Sequence, residues 1–426
     1  MNKRTKTALR RWCLYGWTFA KWTRAASAIG VVCGLNGTMF HFGVHEVTAF
    51  RGTHPWVLYL LPLAGFVIVS FYKLTETDGL GTDDIIDAVH EGKRLPILLL
   101  PAIFFGTVLT HLCGGSAGRE GAALQMGGTI GQCMGRTFRL DDRDLRVATL
   151  AGMAAFFSAL FGTPLAATVF AIMVISIGVI YHVALYPSLL AALVAYGVSV
   201  RLGVEPTRFT VAVPDQSVGM FVRVAALGVL CALVSILFCK LMHGAGHLMK
   251  RIKNPWLRVI CGGFAVIALT WIFGTDYNGA GMDIVTRAIE QETVAVPWAF
   301  LLKLVFTAVT LAAGFKGGEV VPSFFVGATF GCAVSPLLGL PVGFGAAVGL
   351  AAVFCGVTNC PVASTLLAVE LFGAEGMLYF ALACCLSYML SGYQGLYSSQ
   401  TILYSKLKAQ FINVHTNAYH AGEKTE

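Results

Sequence analysis

The sequence has little charge. Only 12% of its 426 residues are Asp, Glu, Lys or Arg, against roughly 25% in an ordinary globular chain. Hydrophobic residues make up 56% of the chain. So few charged side chains cannot cover a water-exposed surface, which excludes a soluble protein of this length. The composition predicts a helical membrane protein whose surroundings are the lipid bilayer.

Acidic residues are scarcer still, with 22 Asp and Glu against 30 Lys and Arg. A positive excess also occurs in nucleic-acid-binding proteins, but here the basic residues crowd the N-terminus: Lys3, Arg4, Lys6, Arg10, Arg11, Lys21 and Arg24. Beside a bilayer this pattern predicts a cytoplasmic anchor and no nucleic-acid partner. No unbroken apolar stretch precedes the small residues 25–28, so no cleaved signal peptide is predicted. We expect a multi-pass cell-membrane protein with both termini in the cytoplasm.

The chain lacks any C-x-x-C pair among its 12 cysteines. Most lie in apolar runs and are predicted to be small buried hydrophobes. The pairs His41/His45 and His243/His247 have the i, i+4 spacing of a metal pair, but Glu46 next to His45 points to a different helix face. We predict no metal site and no cofactor. With neither a metal cluster nor a nucleophile–base pair in the sequence, we predict a protein that is not an enzyme.

The sequence also lacks a regular ladder of spans of about 20 residues. Its apolar runs cover residues 56–72, 95–112, 147–200, 220–239, 256–273, 297–315, 320–353 and 362–391. Several are too long for one helix and too short for two, and Gly and Pro interrupt them. This pattern predicts the broken and half-length helices that are typical of channels and secondary transporters.

An internal repeat predicts two homologous halves. Residues 79–88 (GLGTDDIIDA) are echoed by residues 279–288 (GAGMDIVTRA), and residues 164–168 (PLAAT) by residues 361–365 (PVAST). Between them, the sequence aligns Gly115, Gly118, Glu120 and Gly128 with Gly314, Gly317, Glu319 and Gly327. The offsets are 200, 199 and 197 residues along the chain. We predict a basic N-terminal segment at 1–24, membrane repeats at 25–205 and 220–404, and a short tail at 405–426, with inverted or parallel orientation left open.

Two glycine-rich segments are candidate anion sites. Residues 111–121 (HLCGGSAGREG) and residues 314–322 (GFKGGEVVP) each precede an apolar helix-forming run. Free amides and the positive dipole end at such a helix start bind an anion without a full charge. Two such starts meeting near the middle of the membrane would bind one small anion between them.

Each of these segments also carries a glutamate, Glu120 and Glu319. A carboxylate in an apolar region costs several kcal/mol unless it is compensated, and helix amides compensate it. Glu120 could therefore occupy the anion site when charged and leave it when protonated, which would exchange an anion for a proton. The alternatives are that both acids cap helices, or that they pair with Arg119 and Lys316. For Glu370, which also lies in an apolar run, a structural hydrogen bond is expected.

These residues resemble a known family. Residues 118–121 (GREG) match a signature of the CLC chloride channels and anion/proton antiporters, and residues 318–322 (GEVVP) resemble the family's second-half G-x-F-x-P element. Residues 395–398 (GLYS) are similar to the segment with its central tyrosine. The resemblance runs from about Asp78 to Tyr404. It implies the CLC fold, an all-α inverted repeat of two homologous halves with broken helices, and a homodimer with one anion pathway per subunit. By resemblance Glu120 is the gating glutamate and Tyr397 the inner-gate hydroxyl.

Departures from the common pattern indicate the branch. Leu80 stands where chloride-type members have a serine that contacts the anion, and Val174 where the chloride/proton antiporters have an internal glutamate. Residues 314–320 (GFKGGEV) closely resemble the fluoride branch, CLC-F, in which the acid at the position of Glu319 acts in proton-coupled transport. Against that branch, Leu80 is not methionine and Val321 replaces the usual threonine.

The sequence thus predicts a CLC-family anion transporter, with proton-coupled fluoride antiport favoured. The alternative is a chloride/proton antiporter or a passive chloride channel of the same fold. Glu120 and Glu319 are predicted to gate the pathway and transfer protons. The predicted anion-binding residues are Leu80, Gly118, Arg119, Gly121, Val320, Val321, Phe324 and Tyr397.

Overall fold

The computed structural model describes residues 3–293, 296–408 and 410–417. Its first eight α-helices are α1 (Lys3–Thr53), α2 (Leu61–Leu74), α3 (Thr82–Glu91), α4 (Leu99–Leu112), α5 (Glu120–Thr137), α6 (Asp142–Phe161), α7 (Pro164–Met173) and α8 (Leu185–Arg201). The next eight are α9 (Val218–Met249), α10 (Pro255–Phe273), α11 (Met282–Glu290), α12 (Ala299–Ala313), α13 (Val320–Leu338), α14 (Val342–Thr358), α15 (Pro361–Phe372) and α16 (Met377–Leu390). Three short 3-10 helices, Pro55–Leu60, His182–Ala184 and Thr275–Tyr277, connect them.

Helix lengths agree with a membrane protein built from unequal pieces. Seven helical segments of the described chain are long and apolar enough to cross a membrane, and six further apolar helices are only 10–17 residues long. The prediction of broken and half-length helices is confirmed. Helix α1 is the exception, because its 51 residues at about 1.5 Å each far exceed the thickness of a bilayer.

Helix α1 also crosses the boundary that the sequence places between a basic N-terminal segment (1–24) and the first repeat (25–205). One continuous helix holds both, so residue 24 marks a change in composition and not in structure. Residues 1 and 2 of that segment lie outside the described residues. The same is true of residues 409 and 418–426 in the predicted C-terminal tail.

The two halves match helix by helix, α1 to α8 with α9 to α16. Helices α3 and α11 begin at Thr82 and Met282, and helices α7 and α15 begin at Pro164 and Pro361. Each half therefore folds into the same series of eight helices within the described chain. The predicted repeat is present.

The hydrogen bonds between the two halves occur in symmetric pairs. The amide of Gly118 donates to Gly318 O at 2.8 Å, and the amide of Gly318 donates to Gly118 O at 2.7 Å. The amide of Ser116 donates to Thr310 Oγ1 at 3.1 Å, and the amide of Lys316 donates to Thr110 Oγ1 at 3.2 Å. Each bond becomes its counterpart when 200 is added to or subtracted from both residue numbers, so a local two-fold axis passes between the halves.

This pairing corrects the register of the middle match. The sequence aligns Gly118 with Gly317 and Glu120 with Glu319, an offset of 199, but the antiparallel bridge joins Gly118 to Gly318. Helix α5 begins at Glu120, and its equivalent α13 begins at Val320. The shared glutamate misled the alignment by one residue, because consecutive glycines make neighbouring registers almost equally good.

Close helix packing explains part of the high glycine content. A Cβ built on Gly131 of α5 would lie 2.1 Å from Ala148 O of α6, and one on Gly331 of α13 would lie 2.1 Å from Gly345 O of α14. Without side chains at these positions the helix backbones touch, as small residues allow in membranes. Helices α6 and α14 are buried along most of their length. They form the centre on which the site is built.

The described C-terminal segment contains strands that an all-α prediction misses. Strands β1 (Ser176–Ile177), β2 (Thr401–Tyr404) and β3 (Phe411–His415) form one small sheet. Strand β2 pairs in parallel with β1 of the first half, and antiparallel with β3. The sheet therefore ties the chain end that carries Tyr397 to the first repeat.

Candidate functional site

The site lies where α5 and α13 begin. A Cβ built on Gly121 would lie 2.8 Å from the Cα of Gly318, so only glycine allows the two starts to approach so closely. Val320 and Val321, the first two residues of α13, are buried beside them. The two helix N-termini that the sequence proposed as one anion site are thus adjacent in the fold, and their dipoles make this space favourable for negative charge.

Glu120 places its carboxylate in this space. The residue is 1% exposed, and its Oε2 accepts a hydrogen bond from the amide of Arg119 at 2.9 Å. The amide of Val321, on the other helix start, provides a further backbone hydrogen bond. Amides from both halves of the chain thus compensate the carboxylate. We call the space around it, between the starts of α5 and α13, the anion site, after the anion that the sequence predicts to bind there.

Arg119 supplies the nearest positive charge. Its Nε lies 3.6 Å from Glu120 Oε1, within ion-pair range but too long for a strong hydrogen bond. The pairing that the sequence left open as an alternative is therefore present. It involves Oε1, while the amide of Arg119 donates to Oε2.

Glu319 lies near the same helix starts in a different environment. It is the N-cap residue of α13, but its side chain forms no capping hydrogen bond. A Cβ built on Gly121 would lie 3.4 Å from its Oε2. In the described part of the chain Glu319 forms no ion pair with Lys316, whose Nζ lies 4.1 Å from the centre of the Tyr72 ring. Neither capping nor pairing with Lys316 accounts for this half-buried acid.

The corrected register means that the two acids are not equivalent by symmetry. The counterpart of Glu120 is Val320, and the counterpart of Glu319 is Arg119. Glu120 is enclosed at the anion site, whereas Glu319 lines two adjoining cavities. Because their surroundings differ, Glu120 and Glu319 are suited to different chemical roles.

The first of these cavities, here the tyrosine cavity, also contains Leu80, Asp83 and Tyr397. Tyr397 is 3% exposed, and its hydroxyl forms no hydrogen bond with any group in the described chain. An unpartnered buried hydroxyl destabilises a fold by about 1–3 kcal/mol. Its position in a cavity with three acids, Asp83, Asp84 and Glu319, favours a role toward a ligand over a role in packing.

The backbone around Tyr397 is held from several sides. Thr416 Oγ1 donates to Tyr397 O, and the amide of Ser399 donates to Asp83 Oδ1 at 3.0 Å. Gln400 Nε2 donates to Val174 O at 2.8 Å. Val174 itself is buried and offers no side-chain proton carrier.

Lys406 is a further anchor of this segment that the sequence interpretation missed. Its ammonium donates to Tyr388 O at 3.1 Å, to Ser391 Oγ at 3.2 Å and to Asn359 Oδ1. Burial of the amine lowers the pKa of Lys406 to about 7. Its acceptors lie at the ends of α14 and α16, and they are 47, 18 and 15 residues away in sequence. The sequence offered only a lysine shortly after a strand-forming stretch, residues 401–404.

The phenylalanines at the start of α13 are buried. Phe324 meets Phe161 and Phe354 edge-on, with ring centroids 5.8 Å and 5.1 Å apart. Phe325 lies instead against Tyr277 and under Lys303, whose Nζ is 5.2 Å from its ring centroid. The two neighbouring rings thus pack against different groups.

Glu370 has the structural role that the sequence predicts. Its carboxylate accepts hydrogen bonds from the amides of Leu165 at 3.1 Å and Ala166 at 2.8 Å. It thereby caps the first turn of α7 from the neighbouring helix α15. This expectation is confirmed.

Comparisons with known proteins agree with this geometry. The voltage-gated chloride channel family matches residues 64–392. A chloride/fluoride channel protein of Pseudomonas syringae pv. tomato is 39% identical over 399 residues, which cover 91% of this chain and 88% of that protein. An H(+)/Cl(-) exchange transporter, ClcA, of Cronobacter sakazakii is 26% identical over 81% of each chain.

Among solved structures, a CLC-type fluoride/proton antiporter superposes with a TM-score of 0.88 at 32% identity. The match covers 91% of this chain and 99% of that one. The fold is the CLC-type inverted repeat, which settles the orientation that the sequence left open. With the family match over most of its length, the chain belongs to the voltage-gated chloride channel family, the CLC anion transporters.

Proposed function

We propose that this CLC protein is a proton-coupled fluoride antiporter. The observation that carries the proposal is the position of Glu120, whose carboxylate occupies the anion site between two helix N-termini. A charged carboxylate and a free anion compete for the same amides. Exchange of one for the other couples anion movement to protonation.

The sequence of events follows from charge. Ionised Glu120 is attracted by the amides and by the Arg119 guanidinium 3.6 Å away. Protonation removes the negative charge that both interactions require, so the side chain is released and a small anion takes its place. Deprotonation on the opposite side returns the carboxylate and expels the anion.

Glu319 supplies the second proton position. Its carboxylate approaches Gly121 at the anion site and also faces the cavities that contain Asp83. A proton held there is close to the helix start that carries Glu120. We therefore assign Glu319 to proton transfer and not to anion binding, which agrees with its resemblance to the fluoride branch.

Fluoride is favoured because the site offers close donors and little polarizable space. The apolar side chain of Leu80 lines the tyrosine cavity where a serine hydroxyl would serve chloride. Phe324, early in α13, is buried, and its ring edge would offer positive partial charge to an anion. The solved fluoride/proton antiporter supports the same ion, and the P. syringae relative is named for both chloride and fluoride.

We further propose a transporter and not an enzyme, acting in the cell membrane as a homodimer with both termini in the cytoplasm. The dimer follows from the family resemblance. The orientation is supported by the basic side chains of the first part of α1, such as Lys21 and Arg24. A chloride/proton antiporter remains the second candidate, since the ClcA relative exchanges chloride for protons.

Ion flux from vesicles tests the choice of ion. Purified protein in liposomes should release fluoride faster than chloride. As fluoride leaves the vesicles, protons should enter them. Ion-selective electrodes and a pH electrode in the same vesicles measure both. Chloride release equal to or faster than fluoride release would refute the fluoride assignment and leave the CLC transporter intact.

The hydroxyl of Tyr397 provides a second test. Tyr397→Phe removes a hydroxyl that has no partner in the described protein while the ring still packs, so the free energy of unfolding should not fall and should rise by up to about 1–3 kcal/mol. If the hydroxyl faces the anion, fluoride flux or the fluoride-to-chloride ratio should change. Tyr379→Phe is a matched control because its hydroxyl donates to a backbone oxygen, Asp215 O, at 2.9 Å. A flux and selectivity like the wild type in Tyr397→Phe would argue against the gate.

A further inference from the structure

The pair His243 and His247 has no part in the function described so far. Both histidines lie on α9, one turn apart, and line the second cavity beside Glu319. This histidine cavity has a volume of about 400 Å³ and also holds Asp83, Lys250 and Ser398. It adjoins the tyrosine cavity through Asp83 and Glu319. The described chain brings no group of three metal-ligating side chains together, so the i, i+4 pair requires another explanation.

Hydrogen bonds define the form of His243. Its Nδ1 lies 2.7 Å from Cys239 O, and a carbonyl only accepts, so Nδ1 carries a proton. Its Nε2 lies 3.5 Å from Asn417 Nδ2. The orientation of the Asn417 amide is fixed, because its Oδ1 accepts from Gly395 N and its Nδ2 donates to Gly395 O, both at 3.1 Å.

An amide nitrogen donates, so Nε2 of His243 presents a lone pair. Ser398 Oγ, also 3.5 Å from Nε2, completes a set of weak donors to the same lone pair. His243 is thus held in the tautomer whose Nε2 is the proton-accepting nitrogen. Both contacts are long enough to yield to water.

Charges of both signs face this imidazole. They are His247 on α9, Lys250 just after its end, Asp83 at the start of α3 and Glu319 at the start of α13. Asp83 lies within electrostatic range of both His243 and Glu319. Helix α12 contributes only Leu311 and Ala312 to the cavity. Titratable side chains therefore line the cavity from His243 through Asp83 to Glu319, the acid that the proposed function assigns to proton transfer.

We propose that the histidine cavity is the inner proton entrance to Glu319, with His243 as its relay. Hydronium in the cavity gives a proton to His243 Nε2 and becomes water. The imidazolium then releases that proton, through cavity water beside Asp83, to the Glu319 carboxylate and returns to the neutral form. No atom other than the proton is exchanged. The inference rests on the proposed function, since it requires Glu319 to carry protons.

The test uses His243→Asn in full-length protein in liposomes. The asparagine amide retains a donor toward Cys239 O but has no titrating nitrogen. Fluoride-driven proton movement is measured at about pH 7.5 and about pH 5.5, on either side of the ordinary histidine range. We expect the variant to be slower than wild type by about tenfold at the higher pH, and close to wild type at the lower pH, where hydronium is abundant.

His182→Gln is the matched control, since His182 is exposed and lies outside both cavities. Fluoride affinity, measured by calorimetry, should be the same in His243→Asn and in wild type. Equal slowing at both pH values indicates a structural role, and weakened fluoride binding indicates attraction of the anion. Either result overturns the relay, as does a variant that behaves like wild type at both pH values.

The wild-type vesicles separate failure of the relay from failure of the proposed function. Fluoride flux without proton movement in wild type would overturn the proposed function and the relay with it. Coupled transport in wild type with an unaffected His243→Asn variant would overturn the relay alone.

Discussion

Glu120→Gln is expected to abolish proton movement coupled to anion flux. The substitution removes the negative charge that competes with the anion and the group that carries the proton, while the amide oxygen still accepts from Arg119 N in place of Oε2. The side chain keeps its size at a position that is 1% exposed, so the fold should be retained. Fluoride release and pH are recorded together from vesicles that contain the variant.

The expected result is proton movement no greater than in protein-free vesicles, whatever anion flux remains. Removing a carboxylate that is compensated mainly by backbone amides leaves those amides without their anion. The variant should therefore also bind fluoride at the site without competition from a negative charge. Calorimetry of fluoride binding checks this second consequence.

Glu370→Gln is the matched control for this prediction. The carboxylate of Glu370 also accepts hydrogen bonds from helix amides in an apolar region. These amides belong to the start of α7 and not to the anion site. Loss of its capping charge should cost about 1 kcal/mol of stability and leave coupling unchanged. The assignment of Glu120 as the gate would be contradicted if Glu120→Gln coupled protons to anion flux as the wild type does, or if Glu370→Gln lost this coupling.

The internal repeat could be predicted from the sequence, but its register could not. Motif order and spacing were enough to predict two halves and the meeting of two helix starts, because glycine and proline at such places leave a readable pattern. The register was wrong by one residue, since the matching acids outweighed the backbone. Positive φ at Gly114 and Gly314, 200 residues apart, marks the true alignment. Because each segment contains several glycines, the sequence alone does not show which of them adopts the positive φ.

The surroundings of the site were harder to predict than its helix starts. The histidine cavity draws its lining from α9, α12, the starts of α3 and α13 and the segment after α16. Only the packing of both halves brings these segments together. Similarly, Lys406 contacts the ends of two helices that local sequence does not connect to it. Long-range contacts of this kind leave no periodic signal.

Glu319→Gln is expected to eliminate fluoride-driven proton movement by a different route from Glu120→Gln. The side chain forms no capping hydrogen bond on α13, so the neutral amide should cost the fold little. Glu120 remains in place and still competes for the anion site. Fluoride movement should then either cease or continue without protons, because the carboxylate that lies beside Gly121 at the helix start is gone.

Glu319→Asp is the control that isolates the titrating group. It keeps a carboxylate at the N-cap of α13, one methylene shorter, so coupling should be slowed but present. Measured in the same vesicles, the ordering of proton movement should be wild type, then Glu319→Asp, then Glu319→Gln at background. Coupling in Glu319→Gln equal to wild type would show that protons reach Glu120 without Glu319. The unequal surroundings of the two acids would then require another explanation.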